Sequence, residues 1–455
     1  MTNPICLLAS SAHPAWMAPF VALLLAIAVL PLVPATAKWW HKNSSKLLVA
    51  SALGLATLAY YLVWHGYHGA EPGTGSVAAL LHHALLLEFV PFIVLLFALY
   101  TIAGGIELTG DLRAHPATNT AFLAVGAVAA SFVGTTGAAM VLVRPLLRTN
   151  SERKHVVHTL VFFIFVVCNC GGLLLPLGDP PLFLGYLRGV PFEWTLTLTR
   201  EWALVNGLLL ATYYVWDRLA YAKETHRDID RDETRVEPLR MRGGWNLALL
   251  AGVVACVGLL DPNRPVPGTS WSPPPYLREG LMLALAAASY FVAAITPAGL
   301  RKRLSFDFEP IAEVACLFAG VFVTMQVPLE ILNDPGTVAR LGVSRPMGFF
   351  WVTGGLSAVL DNAPTYVVFL ETARQVVNAP PPLVAPGVSE PLLAAVSCGA
   401  VFMGAMTYIG NGPNFLVKSI AERAGVRMPS FFGYLRYSVL VLGPILGVAS
   451  LVFFL

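Results

Sequence analysis

The sequence predicts an all-α polytopic membrane protein made of inverted repeats, with about ten transmembrane helices, two re-entrant hairpins and two broken helices. Three observations carry this. Of 455 residues, 56% are hydrophobic and 12% charged, about half the charged share of a soluble domain. Apolar runs of about 20 residues recur along the whole chain, the length a helix needs to cross a ~30 Å hydrocarbon core. Three motifs also recur, in the same order, in both halves. Barrel strands would instead alternate apolar and polar residues over about 10 positions.

Continuous apolar segments fall at 17–36, 47–65, 80–108, 195–216, 245–260, 280–298, 310–332 and 429–455. Two more, 156–194 and 391–420, are interrupted by glycine, proline and amide residues. Two further pieces, 117–149 and 346–376, bend in the middle. An unbroken helix of either length would run about 50 Å, so each reads as a hairpin entering and leaving by one face. Met1–Met17 lacks the basic start of a cleavable signal, and Pro4 and Pro14 interrupt it. The six cysteines (6, 168, 170, 256, 316 and 398) form no paired framework and read as buried thiols.

Cytoplasmic loops collect Lys and Arg. Take both termini as outside and both bent pieces as re-entrant. The inner loops then hold Lys38, Lys42, Lys46, Arg113, Arg148, Arg153, Lys154, Arg301, Lys302, Arg303, Lys418, Arg423, Arg427 and the seven basic residues of the polar loop Asp217–Arg242. That is most of the 29 Lys and Arg, and a full span at either bent piece would spoil the bias. The expected product is a multi-pass protein of the plasma (inner) membrane, whose partners are the bilayer and inorganic cations. Its divisions are scaffold helices 1–79, a first repeat 80–216, a cytoplasmic loop 217–244, scaffold helices 245–300 and a second repeat 301–455. The loop mixes both signs and reads as a solvated hinge. The net charge of +3 gives no reason to expect nucleic acid.

The repeat is visible in the letters. Glu88-Phe-Val-Pro parallels Glu309-Pro-Ile-Ala at an offset of 221. Ser131-FVGTTGAAM parallels Ser357-AVLDNAPTY at 226, and Gly172-LLLPLGDPPLFL parallels Gly404-AMTYIGNGPNFL at 232. The last match sets Gly178 on Gly410, Asp179 on Asn411 and Pro181 on Pro413. In the orientation above the copies are inverted. Inverted repeats with broken helices point to a secondary transporter with its site near the midplane.

The breaks are where chemistry is expected. Irregular backbone in hydrocarbon survives only against protein or a wet cavity, and proline removes a donor and clashes with the preceding turn. Freed carbonyls suit cations; half-helix N-termini suit anions. Asp361 would be costly at membrane depth, by about 2.5–3.5 kcal/mol on insertion scales, and so needs a cation, a proton or water. It is the first candidate, with Asn362 beside it. Thr135, Thr136 and Gly137 form the equivalent tip. Gly172, Asp179, Thr407, Asn411 and Asn414 complete the expected ion and substrate site, with Asn169 as a neutral lining residue. Glu309 and Glu313 share a helix face, and Glu313 joins Asp361 and Asp179 as a proton-carrier candidate. Glu88 and the interfacial His82-His83 pair are weaker candidates. Arg144 is placed to neutralise a carboxylate or face an anion.

At these motifs the chain resembles the ion transporter superfamily, which holds NhaD-like sodium/proton antiporters, arsenite permeases, citrate carriers and divalent-anion/sodium symporters. The resemblance rests on Thr135-TGAAMVLVRPLLR, Gly171-GLLLPLGDPP, Glu309-PIAEVACLFAGVF, Leu360-DNAPTYV and Gly410-NGPN. It implies a homodimer of scaffold and transport domains, elevator-like movement, and paired cation sites at the two tips. The symporters' Ser-Asn-Thr tips are replaced here by Thr135-Thr136-Gly137 and Asp361-Asn362-Ala363.

The first expectation is therefore sodium/proton antiport with no cofactor beyond the transported ions. Na⁺ would sit at Asp361, Asn362 and Asn411, exchanging with a proton. The alternative is a cation-coupled citrate, dicarboxylate or oxyanion carrier, with Arg144 and half-helix N-termini taking the anion. An intramembrane aspartyl enzyme using Asp361 and Asp179 would have no use for two matched breaks.

Overall fold

The computed structural model describes residues 12–225, 229, 236–262, 264–304, 306–333, 335–340, 342–377, 379–384 and 387–455. The first residues with Cys6, and 226–228 and 230–235 at the centre of the polar loop, lie outside the described residues. The chain is 71% helical. Its only strands among the described residues form two small antiparallel ribbons, Glu107–Asp111 with Glu237–Arg242 and Leu383–Val384 with Val388–Ser389. Five described helices are long and apolar enough to cross a membrane: Asn43–Gly69, Thr74–Ala103, Pro116–Val133, Glu309–Leu332 and Phe431–Phe453. A sixth is possible if Pro14–Val29 and Pro34–Trp40, bent by 102°, are one span. The sequence leads to a larger number because its interrupted segments are short helices here. Val157–Val166 has 10 residues and Trp245–Leu259 and Leu277–Phe291 have 15 each, so none alone covers ~30 Å at 1.5 Å per residue.

The chain packs as two groups that cut across the sequence halves. One contains the described residues up to Ile93, with Glu309–Ser344 and Val368–Ala379. Small residues let its two long helices meet closely, as membrane helices prefer. A Cβ on Gly320 would stand 2.7 Å from the Ala50 Cβ. Lys46 pairs with Glu313 at 2.8 Å, and Phe92 stacks on Phe318. Farther along the same helices, Glu330 accepts from the Tyr61 hydroxyl at 2.9 Å and the His68 N–H at 2.7 Å, and meets His65 Nε2 at 3.0 Å. Helix Thr74–Ala103 carries a π-helical stretch at His82–Phe89. There Glu88 is buried with Gln326, and His83 meets the Tyr67 hydroxyl.

The second group contains Val94–Phe308, Arg345–Val367 and Pro380–Leu455. At its centre are two helices apolar all round, the pattern of a fully enclosed helix. His158–Val166 and Leu392–Met403 are buried at every position. Helices Pro116–Val133 and Thr135–Thr149 meet at Gly134, whose φ of 78° favours glycine. Their far ends are tied by a reciprocal amide pair, Asn119 with Asn150, at 2.9 and 3.0 Å. Beside it, Arg153 grips Asp217 through both guanidinium nitrogens, and His158 Nε2 lies 2.8 Å from the same carboxylate. This corrects the sequence reading, which put Asp217 in a solvated loop. Asp217 lies inside helix Thr199–Tyr221, one turn before its end, and is fully buried, because its partners come from a segment some 60 residues away. The loop's far end, Glu237–Arg242, is a ribbon strand.

The two broken segments share one local design. Each central helix runs into a short 3₁₀ turn, Cys170–Leu173 or Gly404–Met406. Each then passes through an extended residue, Asp179 (φ −140°, ψ 142°) or Asn411 (φ −155°, ψ 139°), into a helix with proline in its first turn. The chain doubles back on itself at both. A Cβ on Gly178 would fall 2.1 Å from the Gly172 carbonyl oxygen, and one on Gly410 would fall 2.6 Å from the Gly404 oxygen.

Two predictions follow from this packing. Gly178→Ala and Gly410→Ala force backbone apart and should each destabilise by at least about 1–3 kcal/mol. Gly412→Ala meets nothing within 4 Å and should melt like the parent in detergent; equal melting of all three would contradict the geometry. Arg153→Met strands a buried carboxylate and should cost about 3–5 kcal/mol. Arg148→Met breaks an exposed pair with Glu237 and should cost under about 1 kcal/mol. Denaturant titration of both variants separates the two cases.

A candidate transport site around Asp179

Asp179 is 1% exposed. It stands at the N-cap of helix Pro180–Leu187, but its carboxylate makes no capping hydrogen bond, so both oxygens are left for other partners. Oδ1 accepts from the Thr135 hydroxyl at 3.1 Å and from Asn411 Nδ2 at 2.9 Å. Oδ2 accepts from Asn362 Nδ2 at 2.6 Å. All three donors are themselves buried. One residue comes from each of the two bent pieces and each of the two breaks, so the four separate motifs of the sequence meet on a single carboxylate.

Each of the four stands where a helix begins. Thr135 opens Thr135–Thr149, Asn362 opens Asn362–Arg374, and Asp179 and Asn411 cap Pro180–Leu187 and Gly412–Arg423. A helix N-terminus carries roughly half a positive charge in unpaired N–H groups. Four such ends around one point make a field that favours negative charge, although no Lys or Arg among the described residues is bonded to Asp179. The Thr135 N–H bonds the Gly178 carbonyl at 2.9 Å, fixing the first tip to the first break. Gly172 must be glycine here: a Cβ would sit 2.7 Å from the Thr135 methyl.

A second layer of amides holds the first. Asn169 accepts from Asn411 at 3.2 Å and donates to Asn414 Oδ1 at 2.7 Å. Asn414 in turn donates to the Gly404 and Thr407 carbonyls. The Thr407 hydroxyl donates to the Ala358 carbonyl and accepts from the Gly410 N–H. Thr407 and Asn414 therefore brace the second break. Several carbonyls expected to be open to cations are taken by side chains. The Gly171 oxygen receives Ser131 Oγ and Trp202 Nε1, the Cys170 oxygen Asn206, and the Ala405 oxygen the Tyr434 hydroxyl. The roles of Trp202, Asn206 and Tyr434 had no signal in the sequence, since each acts from a distant helix. Two amide oxygens are left over: Asn362 Oδ1, which belongs to the cluster, and Asn206 Oδ1 are buried with no hydrogen-bond partner among the described residues. Rotating the Asn362 amide would turn its oxygen on Asp179, so its orientation is set by charge.

Asp361, the first candidate from sequence, is placed differently. It is half-buried, and its Oδ1 accepts from the Ala363 N–H at 3.3 Å, the bond of an ordinary N-cap. The amides of Asn362 and Asn411, expected to join it around Na⁺, bond Asp179 instead. Thr136 is half-buried beside Thr135, and Gly137 packs toward Ala103. Glu313, a proton-carrier candidate, is ion-paired to Lys46 in the other packing group, with its side chain 44% exposed. Arg144 donates to the Leu304 carbonyl at 2.7 Å and is not among the donors to the cluster. No group of three or more His, Cys, Asp or Glu suited to a metal ion occurs among the described residues.

A family model described as "Putative citrate transport" matches residues 9–454, nearly the whole chain. No curated protein matches it. With apolar helices able to cross a bilayer and polar residues gathered on a buried carboxylate at matched helix breaks, the chain belongs to this citrate transport family.

Proposed function

We propose that the protein is a secondary transporter of a citrate-like carboxylate, coupled to a proton or a small cation at the Asp179 cluster. The observation that carries this reading is the meeting of four helix N-termini at one buried point. Their field attracts anions, and with Asp179 ionised, the protein's own carboxylate occupies it. A proton or Na⁺ on Asp179, with Asn362 Oδ1 as a further ligand, cancels that charge. The field then becomes available to a carboxylate substrate. Cation and anion would thus bind together, which is the condition for symport. The family description supports the substrate class.

The matched geometry of the two breaks supports the inverted repeats and, with the Lys and Arg bias, ten spans with both termini outside. An elevator-like movement and a homodimer rest on the resemblance to the superfamily. The anion role once given to Arg144 passes to the helix ends. A second reading, sodium/proton antiport, is favoured by one feature: among the described residues, every side chain bonded to Asp179 is neutral, so a cation alone could complete the site.

Proteoliposomes test both readings. Labelled citrate should accumulate under an inward proton or Na⁺ gradient. Asp179→Asn should lower uptake at least about tenfold, the loss expected for a buried coupling group. Asp361→Asn keeps an N-cap of equal quality and should retain uptake within a few-fold. Loss of transport in Asp361→Asn with Asp179→Asn intact would move the site to Asp361. No citrate uptake, together with proton movement on adding Na⁺ or Li⁺, would establish antiport.

A further inference from the structure

Helix Thr199–Tyr221 carries two acids shut away in the second packing group, and they are treated differently. Near its end, Asp217 is met by Asn119, Arg153 and His158. In its first turn, Glu201 is half-buried, and its Oε2 is closed off from water with no hydrogen-bond partner. Among the described residues it is the one carboxylate oxygen in that condition. The helix dipole favours an acid in a first turn. That accounts for the residue, not for an oxygen left without a donor. The place is also a fixed one. Trp202, the next residue, donates to the Gly171 carbonyl at 3.0 Å, and Asn206 donates to the Cys170 carbonyl at 3.2 Å. Glu201 is thereby held beside the break that leads to Asp179.

The titratable groups around Glu201 do not complete it. Its electrostatic neighbours are Arg200, which is exposed, and Glu390 and the buried Cys398 thiol of helix Glu390–Met403. Glu193, on the 3₁₀ segment Phe192–Leu198 before it, is exposed. Helices Pro116–Val133 and Gly443–Phe453 also pack on this helix and bring no titratable side chain. Helix Val157–Val166 brings only His158, which is bound to Asp217. The polar loop follows the opposite end of the helix, about 30 Å along its axis. A buried acceptor without a donor costs more when it is charged than when it is neutral, and a proton on the carboxyl group removes the charge. We propose that Glu201 is a second proton-binding site, filled in this conformation, and that its proton exchanges during the transport cycle; this last clause rests on the reading of the protein as a coupled transporter.

Infrared spectroscopy of the purified full-length protein reads the proton directly and needs no substrate, so its outcome does not depend on what is carried. Near neutral pH, the difference between the parent and Glu201→Gln should contain the carbonyl stretch of a protonated carboxylic acid, displaced in heavy water. Glu201→Asp keeps an acid and should move that band rather than remove it. Isotope-labelled glutamate in the parent should shift the band with no substitution at all. A difference that contains only carboxylate stretches would show Glu201 ionised and overturn the proposal. So would a protonated-acid band that is lost in Asp179→Asn and kept in Glu201→Gln. Proteoliposomes check the exchange. Glu201→Gln should move the pH of half-maximal citrate uptake or, if antiport is what is found, of proton movement on adding Na⁺ or Li⁺. An unmoved profile beside a confirmed band would overturn the part of the proposal that ties this proton to transport.

Discussion

A carboxylate held out of water dominates the second packing group. Removing an ion from water costs several kcal/mol even after relaxation, and no cationic side chain among the described residues is bonded to Asp179. The compensation is distributed: three neutral donors and four helix ends. Neutral donors are individually weak, but in a low dielectric each is worth more than in water, and aligned networks polarise one another. This explains why the amides continue outward through Asn169 and Asn414. Each fixes the rotamer of the one before it, so Asn411 cannot turn its oxygen toward the carboxylate.

The same requirement explains the irregular backbone. A continuous helix hides its N–H groups within itself; only a helix end offers them. To bring four ends to one buried place, two helical segments must stop and restart and two others must turn. The released carbonyls then need donors, which Ser131, Trp202, Asn206, Asn414 and Tyr434 provide. The glycines at 172, 178, 404 and 410 follow in turn, because the doubled-back chain leaves no room for a Cβ. Fold irregularity, buried amides and glycine placement thus meet in the packing around Asp179.

Much of this was legible in the letters because it is local. Glycine and proline inside apolar runs mark breaks wherever they occur, and the recurring offset of 232 set Asp179 opposite Asn411 before any contact was known. What stayed hidden was which acid gathers the four motifs. Asp361-Asn362 is the more conspicuous motif, and sequence cannot show that a carboxylate two residues before an N–H will cap its own helix while its neighbour's amide reaches 183 positions back to Asp179. The pairing of Asp217 with Arg153 was hidden for the same reason: polar residues beside a charged loop look solvated until a distant partner is placed. Glu313 illustrates the reverse case, since an acid inside an apolar run draws attention but spends its charge on Lys46.

The aspartate and asparagine at equivalent positions differ for a physical reason. The side chains of Asp179 and Asn411 bond directly at 2.9 Å, so whatever stands at one position is felt at the other. Two aspartates there would repel, and one would have to hold a proton permanently. Two asparagines would satisfy each other but would leave no charged acceptor at the junction. One acid and one amide are the pairing that bonds without repulsion, since a neutral Nδ2 donor meets a carboxylate oxygen. The two breaks share one local backbone design, and unlike side chains join them at one point.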